Sequence, residues 1–274
     1  SRLCNYEFWK SVRNIGHVCS CFKIIMNILK KIVENKENTL SQRKVDRPLE
    51  TLIRENAKSL DSPPIFKKSL IRQESGIIAE IKKASPSAGL IAEAFDPIKK
   101  AKEYEEIGAI ALSVLTEEDF FMGCDQDLID VRLNSALPIL RKDFIIDEYQ
   151  IYESKIIGAD CILLIASILN DAQLSEFTKL ADTLNLDYLI EVHDADELKR
   201  IESFDDAIVG INNRNLKTFE VNLENSITLR KSFNKDNIFI SESGIQSKAD
   251  IEYLQRNKIS YYLIGESLMR NVFN

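Results

Sequence analysis

Eight short apolar runs recur along the chain, and segments with helical spacing lie between most of them. The runs are IIAEI near 77, AIALSVL near 109, LPILRK near 137, DCILLIA near 160, DYLIEV near 187, AIVGIN near 207, NIFIS near 237 and YYLIG near 261. Each is too short for a helix and almost continuously apolar, the pattern of parallel strands covered on both faces. The segments PIKKAKEYEEIG, DEYQIYESKIIG, DAQLSEFTKLADTL, ADELKRIE and KADIEYLQRN carry one apolar stripe each at a 3.6-residue period. Two units, EYEEIGAIALSVL and ESKIIGADCILLI, also resemble each other, with Gly108 and Gly158 where a helix ends in the left-handed conformation. Similar units stacked on one core imply a closed ring.

Two architectures fit the alternation, an open doubly wound sheet and a (β/α)8 barrel. A dinucleotide-binding sheet would place G-x-G-x-x-G after its first strand, whereas this strand runs into KKASPSAG. The α/β class with a (β/α)8 TIM barrel is therefore expected, and 274 residues suit a fold that takes about 250.

The formal net charge of -7 excludes a general grip on nucleic acid, which needs a basic face to neutralise phosphates. Cys4, Cys19, Cys21, Cys124 and Cys161 are odd in number and crowd the start of the chain, so no disulfide framework is expected and a reducing cytoplasm is the simpler setting. Cys19 and Cys21 have no second cysteine pair to complete a metal site, with His17 the one histidine nearby. No apolar run reaches the roughly 18 residues of a membrane span.

Ahead of the first strand, Ile15, Val18, Phe22, Ile25, Leu29 and Ile32 form one stripe on a helix spanning about residues 10–36. Its simplest role is to pack on the barrel. An oligomer seam is another, as is a membrane-surface helix given Lys10, Arg13, Lys23, Lys30 and Lys31. The following ENKENTLSQRKVDRP reads as polar and exposed, and ENAKSLDSPP as the loop leading into the barrel.

Active sites of such barrels are built at the C-terminal ends of the strands. The residues closing the apolar runs are Glu80 and Lys82, Lys142 and Asp143, Glu191 and His193, Asn212 and Arg214, then Glu242, Ser243 and Gly244, and finally Gly265. One charged strand end is an ordinary solvated rim. Two lysines and two glutamates from three strands instead meet near the axis, where they tune one another and supply an acid and a base. Glu80 and Lys82, two apart, share a face. Gly244 and Gly265, each directly after a strand, leave room for a phosphate against backbone N–H groups near Glu266.

IIAEIKKASPSAGLI, SVLTEEDFFMG, ILRKDFIIDEYQIYES, LIEVHDADEL, VGINNRNLKTFEVNL, ISESGI and LIGESLMR, in that order, resemble the motifs of the indole-3-glycerol-phosphate synthase family. The resemblance runs from about Met26 to Phe273 and leaves residues 1–25 as an extension beside a single domain at 26–274. It implies a phosphorylated small-molecule substrate, 1-(2-carboxyphenylamino)-1-deoxyribulose 5-phosphate, which undergoes ring closure, decarboxylation and dehydration without metal or cofactor. It further implies a cytoplasmic monomer or weak homo-oligomer. By position Lys142 matches the general acid and Glu191 the general base of dehydration. Lys82 matches a lysine that pairs with a substrate anion or acts as an acid. Glu80, Asn212 and Ser243 match positioning residues, and Phe121 an aromatic neighbour of the anthranilate ring. Gly244, Gly265 and Glu266 match phosphate contacts, whereas Ser85 and Arg214 contact either phosphate or carboxylate. Burial and the nearby Lys82 are expected to lower the pKa of Lys142. His193 reads as an outer or exposed residue. Ala88 and Cys124 depart from the usual pattern. The rival reading, a phosphosugar isomerase using a cysteine and an aspartate at strand ends, meets Cys161 at a strand start; a non-catalytic docking role would rest on the N-terminal helix.

Overall fold

The apolar runs form the strands β1 (Gly76–Ile81), β4 (Ala111–Leu115), β5 (Ile139–Lys142), β6 (Cys161–Ile165), β7 (Asp187–Val192), β8 (Ile208–Asn212), β9 (Phe239–Glu242) and β10 (Tyr261–Ile264). All pair in parallel and close into a barrel in the order β1-β10-β9-β8-β7-β6-β5-β4, so the expected TIM barrel is the observed fold. Two short antiparallel strands, β2 (Ala84–Ser85) and β3 (Gly89–Leu90), form a ribbon just beyond β1. This computed structural model describes residues 18–57, 63–215, 218 and 220–273, with residues 18–27 as helix backbone.

Helices follow the strands: α4 (Pro97–Glu106), α5 (Asp125–Asn134), α6 (Glu148–Ile156), α7 (Asp171–Thr183), α8 (Ala195–Arg200), α9 (Glu224–Ser232), α10 (Lys248–Arg256) and the short α11 (Glu266–Met269). Several are started by side-chain caps: Asp96, Asp147, Asn170, Asp194 and Ser247 each accept a backbone N–H from the first turn. Their apolar stripes cover the outer face of the barrel in two large clusters.

Alternation along each strand decides what reaches the mouth. Ile78, Leu140, Leu189, Ile208, Ile240 and Leu263 point into the barrel, where Phe66 and Leu70 close the opposite end. The next inward positions are Glu80, Lys142, Glu191, Gly210, Glu242 and Gly265, with Lys82 and Asn212 one step beyond.

Three helices precede β1: α1 (Val18–Asp46), α2 (Leu49–Asn56) and α3 (Phe66–Ile71). The expectation of an exposed polar segment after residue 36 is corrected here, because α1 runs on to Asp46 with Lys36 and Leu40 buried. Its polar residues meet opposite charges on the barrel. Lys36 Nζ lies 2.8 Å from Asp143 Oδ1, and Arg43 reaches Asp125 at 2.8 Å and Glu153 at 2.9 Å. Those carboxylates also enclose Arg141, which is buried beneath them at 2.8 Å from Asp125, 2.9 Å from Glu153 and 3.3 Å from Asp143. The polar run is thus an interface. Of the stripe expected on this helix, Leu29 and Ile32 lie against the barrel mouth. Residues 1–17, with Cys4, Lys10, Arg13, Ile15 and His17, lie outside the described residues, as do the side chains of Val18, Cys19, Cys21, Phe22, Lys23 and Ile25. Among the described residues, no helix is long and apolar enough to cross a membrane.

Candidate active site

The inward rows turn from apolar to polar at one level, at the C-terminal mouth, around a cavity of about 950 Å³. Every site residue expected from the sequence lines it: Glu80, Lys82, Ser85, Phe121, Lys142, Glu191, Asn212, Arg214, Ser243, Gly244, Gly265 and Glu266. Ile28, Leu29 and Ile32 of α1 add an apolar wall.

Two lysine–carboxylate groups face each other across this space. Lys142 Nζ lies 2.8 Å from Glu191 Oε2 and 2.6 Å from Glu242 Oε2. Lys82 Nζ lies 2.5 Å from Glu80 Oε1. Asn212 Nδ2 donates to the other oxygen of Glu191, Oε1, over 3.1 Å, while its Oδ1 accepts the Arg214 N–H over 3.0 Å.

The expected lowering of the Lys142 pKa is not what the structure gives. Burial does push the ammonium toward its neutral form, but Glu191, Glu242 and Glu80 outweigh burial and hold its pKa well above the usual lysine value. The reading from sequence paired Lys142 with Lys82 and gave Glu242 no role. Glu242 is the group it missed, and the signal was its place two residues beyond inward-facing Ile240.

One lysine between two buried carboxylates cannot serve both equally. Burial opposes ionisation of Glu191, but Lys142 and His193 prevail and hold its pKa well below the usual range. Burial pushes Glu242 up to about 7, with Lys142 pulling it down and Glu191 and Glu80 adding to the rise. Its second oxygen, Oε1, is buried without a hydrogen-bond partner. That oxygen fits only because residue 210 is glycine, since a Cβ there would overlap it.

At the other side of the mouth, Ser243 and Gly244 both adopt left-handed backbone, with φ of 67° and 84°. That turn carries the chain from β9 past the cavity. At Gly265 the structure shows a contact that the sequence did not reveal: a Cβ there would overlap Glu80 Oε1 and come within 3.1 Å of Lys82 Nζ. Ser85 Oγ accepts the Ala88 N–H over 3.2 Å and lies 3.3 Å from Ser87 Oγ, which fixes the turn after β2.

Phe121 reaches the cavity on a loop organised by a buried carboxylate. Glu117 accepts the N–H groups of Asp119, Phe120 and Phe121 over 3.2, 2.7 and 3.0 Å. The Phe121 carbonyl then accepts the Ala84 N–H over 3.2 Å, tying this loop to the one after β1. The Phe121 ring sits 5.9 Å from Phe144 at a 41° tilt.

A family model described as indole-3-glycerol phosphate synthase matches residues 29–272. The chain is 53% identical over 210 residues to an indole-3-glycerol phosphate synthase of Ruminiclostridium cellulolyticum, covering 77% of this chain and 81% of that one. It is 45% identical over 256 residues to one of Lachnoclostridium phytofermentans, covering 89% and 94%. The chain belongs to the indole-3-glycerol phosphate synthase family.

More distant solved structures agree on the fold alone. An N-acetylmannosamine-6-phosphate 2-epimerase from Clostridium perfringens superposes with a TM-score of 0.55 at 13% identity over 72% of this chain and 88% of that one. A chain of the tryptophan synthase complex from Pyrococcus furiosus gives 0.54 at 15% identity over 71% and 88%. Within the indole-3-glycerol phosphate synthase family, the two departures noted in this sequence are structurally mild. Ala88 contributes its backbone to the Ser85 turn, and Cys124 precedes α5, where its N–H donates to Asp127 Oδ2 over 3.1 Å.

Proposed function

We propose that Lys142 and Lys82 each deliver one proton to the substrate and that Glu191 removes one. The family's reaction converts 1-(2-carboxyphenylamino)-1-deoxyribulose 5-phosphate into indole-3-glycerol phosphate, carbon dioxide and water, which makes the chain a lyase. Ring closure turns the ribulose carbonyl oxygen into a hydroxyl and needs one proton. Loss of carbon dioxide restores the aromatic ring. Dehydration then needs a second proton for the departing hydroxyl and a base for a C–H proton. Two protons in and one out match the one net proton consumed when a carboxylate leaves as carbon dioxide.

The observation that carries this reading is the division of the mouth into two lysine–carboxylate groups, Lys142 with Glu191 and Glu242, and Lys82 with Glu80. Lys142 is the acid for ring closure. Once it has given up its proton, one of the two cations that held Glu191 ionised is gone, so the proton affinity of Glu191 rises in time for the step that needs a base. Lys82 is then the cation still charged and supplies the second proton, with Glu80 holding it in place. Gly244, Gly265 and the backbone at Glu266 receive the phosphate; Ser85 and Arg214 divide phosphate and carboxylate between them; Phe121 lies along the anthranilate ring; and Asn212 and Ser243 position the hydroxyls. A cavity of this volume encloses such a substrate and holds the aromatic carbon against the carbonyl.

Residues 26–274 form one barrel domain with residues 1–25 as an extension, working in the cytoplasm as a monomer or weak homo-oligomer without nucleic acid or membrane. Gel filtration with and without residues 1–25 tests that part: unchanged size and activity are expected.

Single-turnover assays in chelator, following both carbon dioxide release and indole fluorescence, test the assignment. Lys142→Met is expected to stop before carbon dioxide appears, whereas Lys82→Met and Glu191→Gln release it without forming the indole. Full activity in Lys142→Met and Glu191→Gln would overturn the reading.

A further inference from the structure

His193 stands two residues beyond Glu191, directly after β7, so both side chains turn toward the same side of the strand. It is about nine-tenths buried, with Nε2 3.2 Å from Glu191 Oε1 and Nδ1 3.1 Å from Glu197 Oε2. Glu197 grips the residue twice, since the same Oε2 also accepts the His193 backbone N–H over 2.8 Å. Asn225 Nδ2 donates to the His193 carbonyl over 3.1 Å and to that of Asn212 over 3.3 Å, which locks the two strand ends together. The histidine is therefore fixed on three sides. Its Nε2, close enough to Glu191 for an ion pair, has no aligned hydrogen-bond partner.

We propose that His193 is a positioning residue for the base, an imidazolium braced by Glu197 that orients Glu191 and remains its counter-charge after Lys142 has been deprotonated. The inference rests on the reading of Glu191 as base and adds a group that does not touch substrate. The charged groups around this pair are Lys142 from β5, Glu242 from β9 and Glu80 from β1, with Glu197 from α8 on the far side. Of these, Lys142 is the cation, and the mechanism discharges it. His193 then becomes the cation that limits how strongly Glu191 binds its proton. Burial lowers the imidazole's own pKa, but Glu191 and Glu197 raise it to about 10, in keeping with a charge that persists through neutral pH.

The test is the pH profile of kcat from pH 3 to 9 for the full chain and its variants, with Tm measured alongside; its acidic limb reports Glu191 in the intermediate where Lys142 is neutral, and so lies above that of the resting pair. Without the imidazolium, Glu191 holds its proton more tightly, so the acidic limb of the His193→Asn profile is expected to move up by about one pH unit, which is about tenfold in kcat on that limb. KM stays within about twofold, because the residue acts on the base and not on the ligand. His193→Gln, which can restore a donor without a charge, recovers rate on the plateau but leaves the limb displaced. Glu197→Gln keeps the imidazole but removes its brace, so it shifts the same limb in the same direction. A wild-type profile in His193→Asn accompanied only by a lower Tm overturns the proposal. If His193→Asn does not fold, a wild-type profile in Glu197→Gln overturns it instead. Glu191→Gln separates the two readings: full activity there removes the base itself, whereas inactivity there with wild-type profiles in the His193 and Glu197 variants removes this inference alone.

Discussion

Glu242 Oε2 and Lys142 Nζ stand 2.6 Å apart although β9 and β5 lie opposite each other in the ring. The contact spans the barrel axis. It places a buried carboxyl that resists ionisation beside the proposed acid, and the cost of that arrangement is measurable.

A carboxyl whose pKa is raised on folding binds its proton more tightly in the native state, so its contribution to stability is complete below the ordinary carboxylate value and is lost as pH rises through about 7. Glu242→Gln fixes the neutral form. It is expected to leave stability near wild type at pH 5 and to add on the order of 2 kcal/mol at pH 8, while kcat falls because Lys142 loses a partner. Urea unfolding at the two pH values, paired with kcat, checks both signs; equal stability differences at pH 5 and 8 would count against it.

Gly265→Ala should act on the chemistry more than on phosphate affinity. Its Cβ would displace the Glu80–Lys82 couple, so kcat is expected to drop by at least about tenfold, in the range of lost acid–base function. Gly244→Ala, beside the loop turn, is expected to raise KM first. Steady-state kinetics on the two variants distinguishes them, and a Gly265→Ala change confined to KM would refute the placement.

The charge cluster under α1 makes a different forecast. Burial alone would raise the Asp143 pKa, yet Lys36 and Arg141 hold it down at about 2. A depressed carboxylate contributes stability above its ordinary pKa and loses it as pH falls through about 2. Asp143→Asn is therefore expected to cost roughly 3 kcal/mol at pH 7, or on the order of 10 °C in Tm, and almost nothing below pH 2. Thermal melts across that range give the answer. A loss that does not shrink in acid would mean the residue matters for shape and not for charge.

Phe121 offers a milder test. Its ring stands at the cavity on a loop held by three N–H groups to Glu117. Phe121→Leu is expected to raise KM several-fold with kcat nearly kept, whereas Glu117→Ala frees the loop, raising KM and lowering kcat together. Identical behaviour of the two variants would contradict that division.

Much of this arrangement is legible in the sequence because it follows from alternation. Once the eight runs are strands of one barrel, Ile78 pointing inward puts Glu80 and Lys82 at the mouth, and Leu140 does the same for Lys142. What stays hidden is any burial of charge that depends on a distant partner. Lys36 and Arg43 lie in a run that looks solvated, and nothing local announces that Asp143 and Glu153 wait about a hundred positions later. His193 and Glu242 were visible as strand-end residues, but their roles come from the side chains they face, Glu191 and Glu197 for His193 and Lys142 across the ring for Glu242. Gly265 reads as a place for phosphate, and what the structure shows there is room for Glu80.

The contact between Gly265 and Glu80 crosses the seam where the first and last strands of the barrel join, Gly76 beside Tyr261 and Ala79 beside Ile264. Lys142, Glu191 and Glu242 belong to strands β5, β7 and β9, which can come together while that seam is still open. Gly265 and the turn into Glu266 come up against Glu80 and Lys82 only after it shuts. Recovery of activity during refolding should therefore lag the recovery of helical signal and report the moment of ring closure, so that the enzyme's own turnover marks the joining of its two ends.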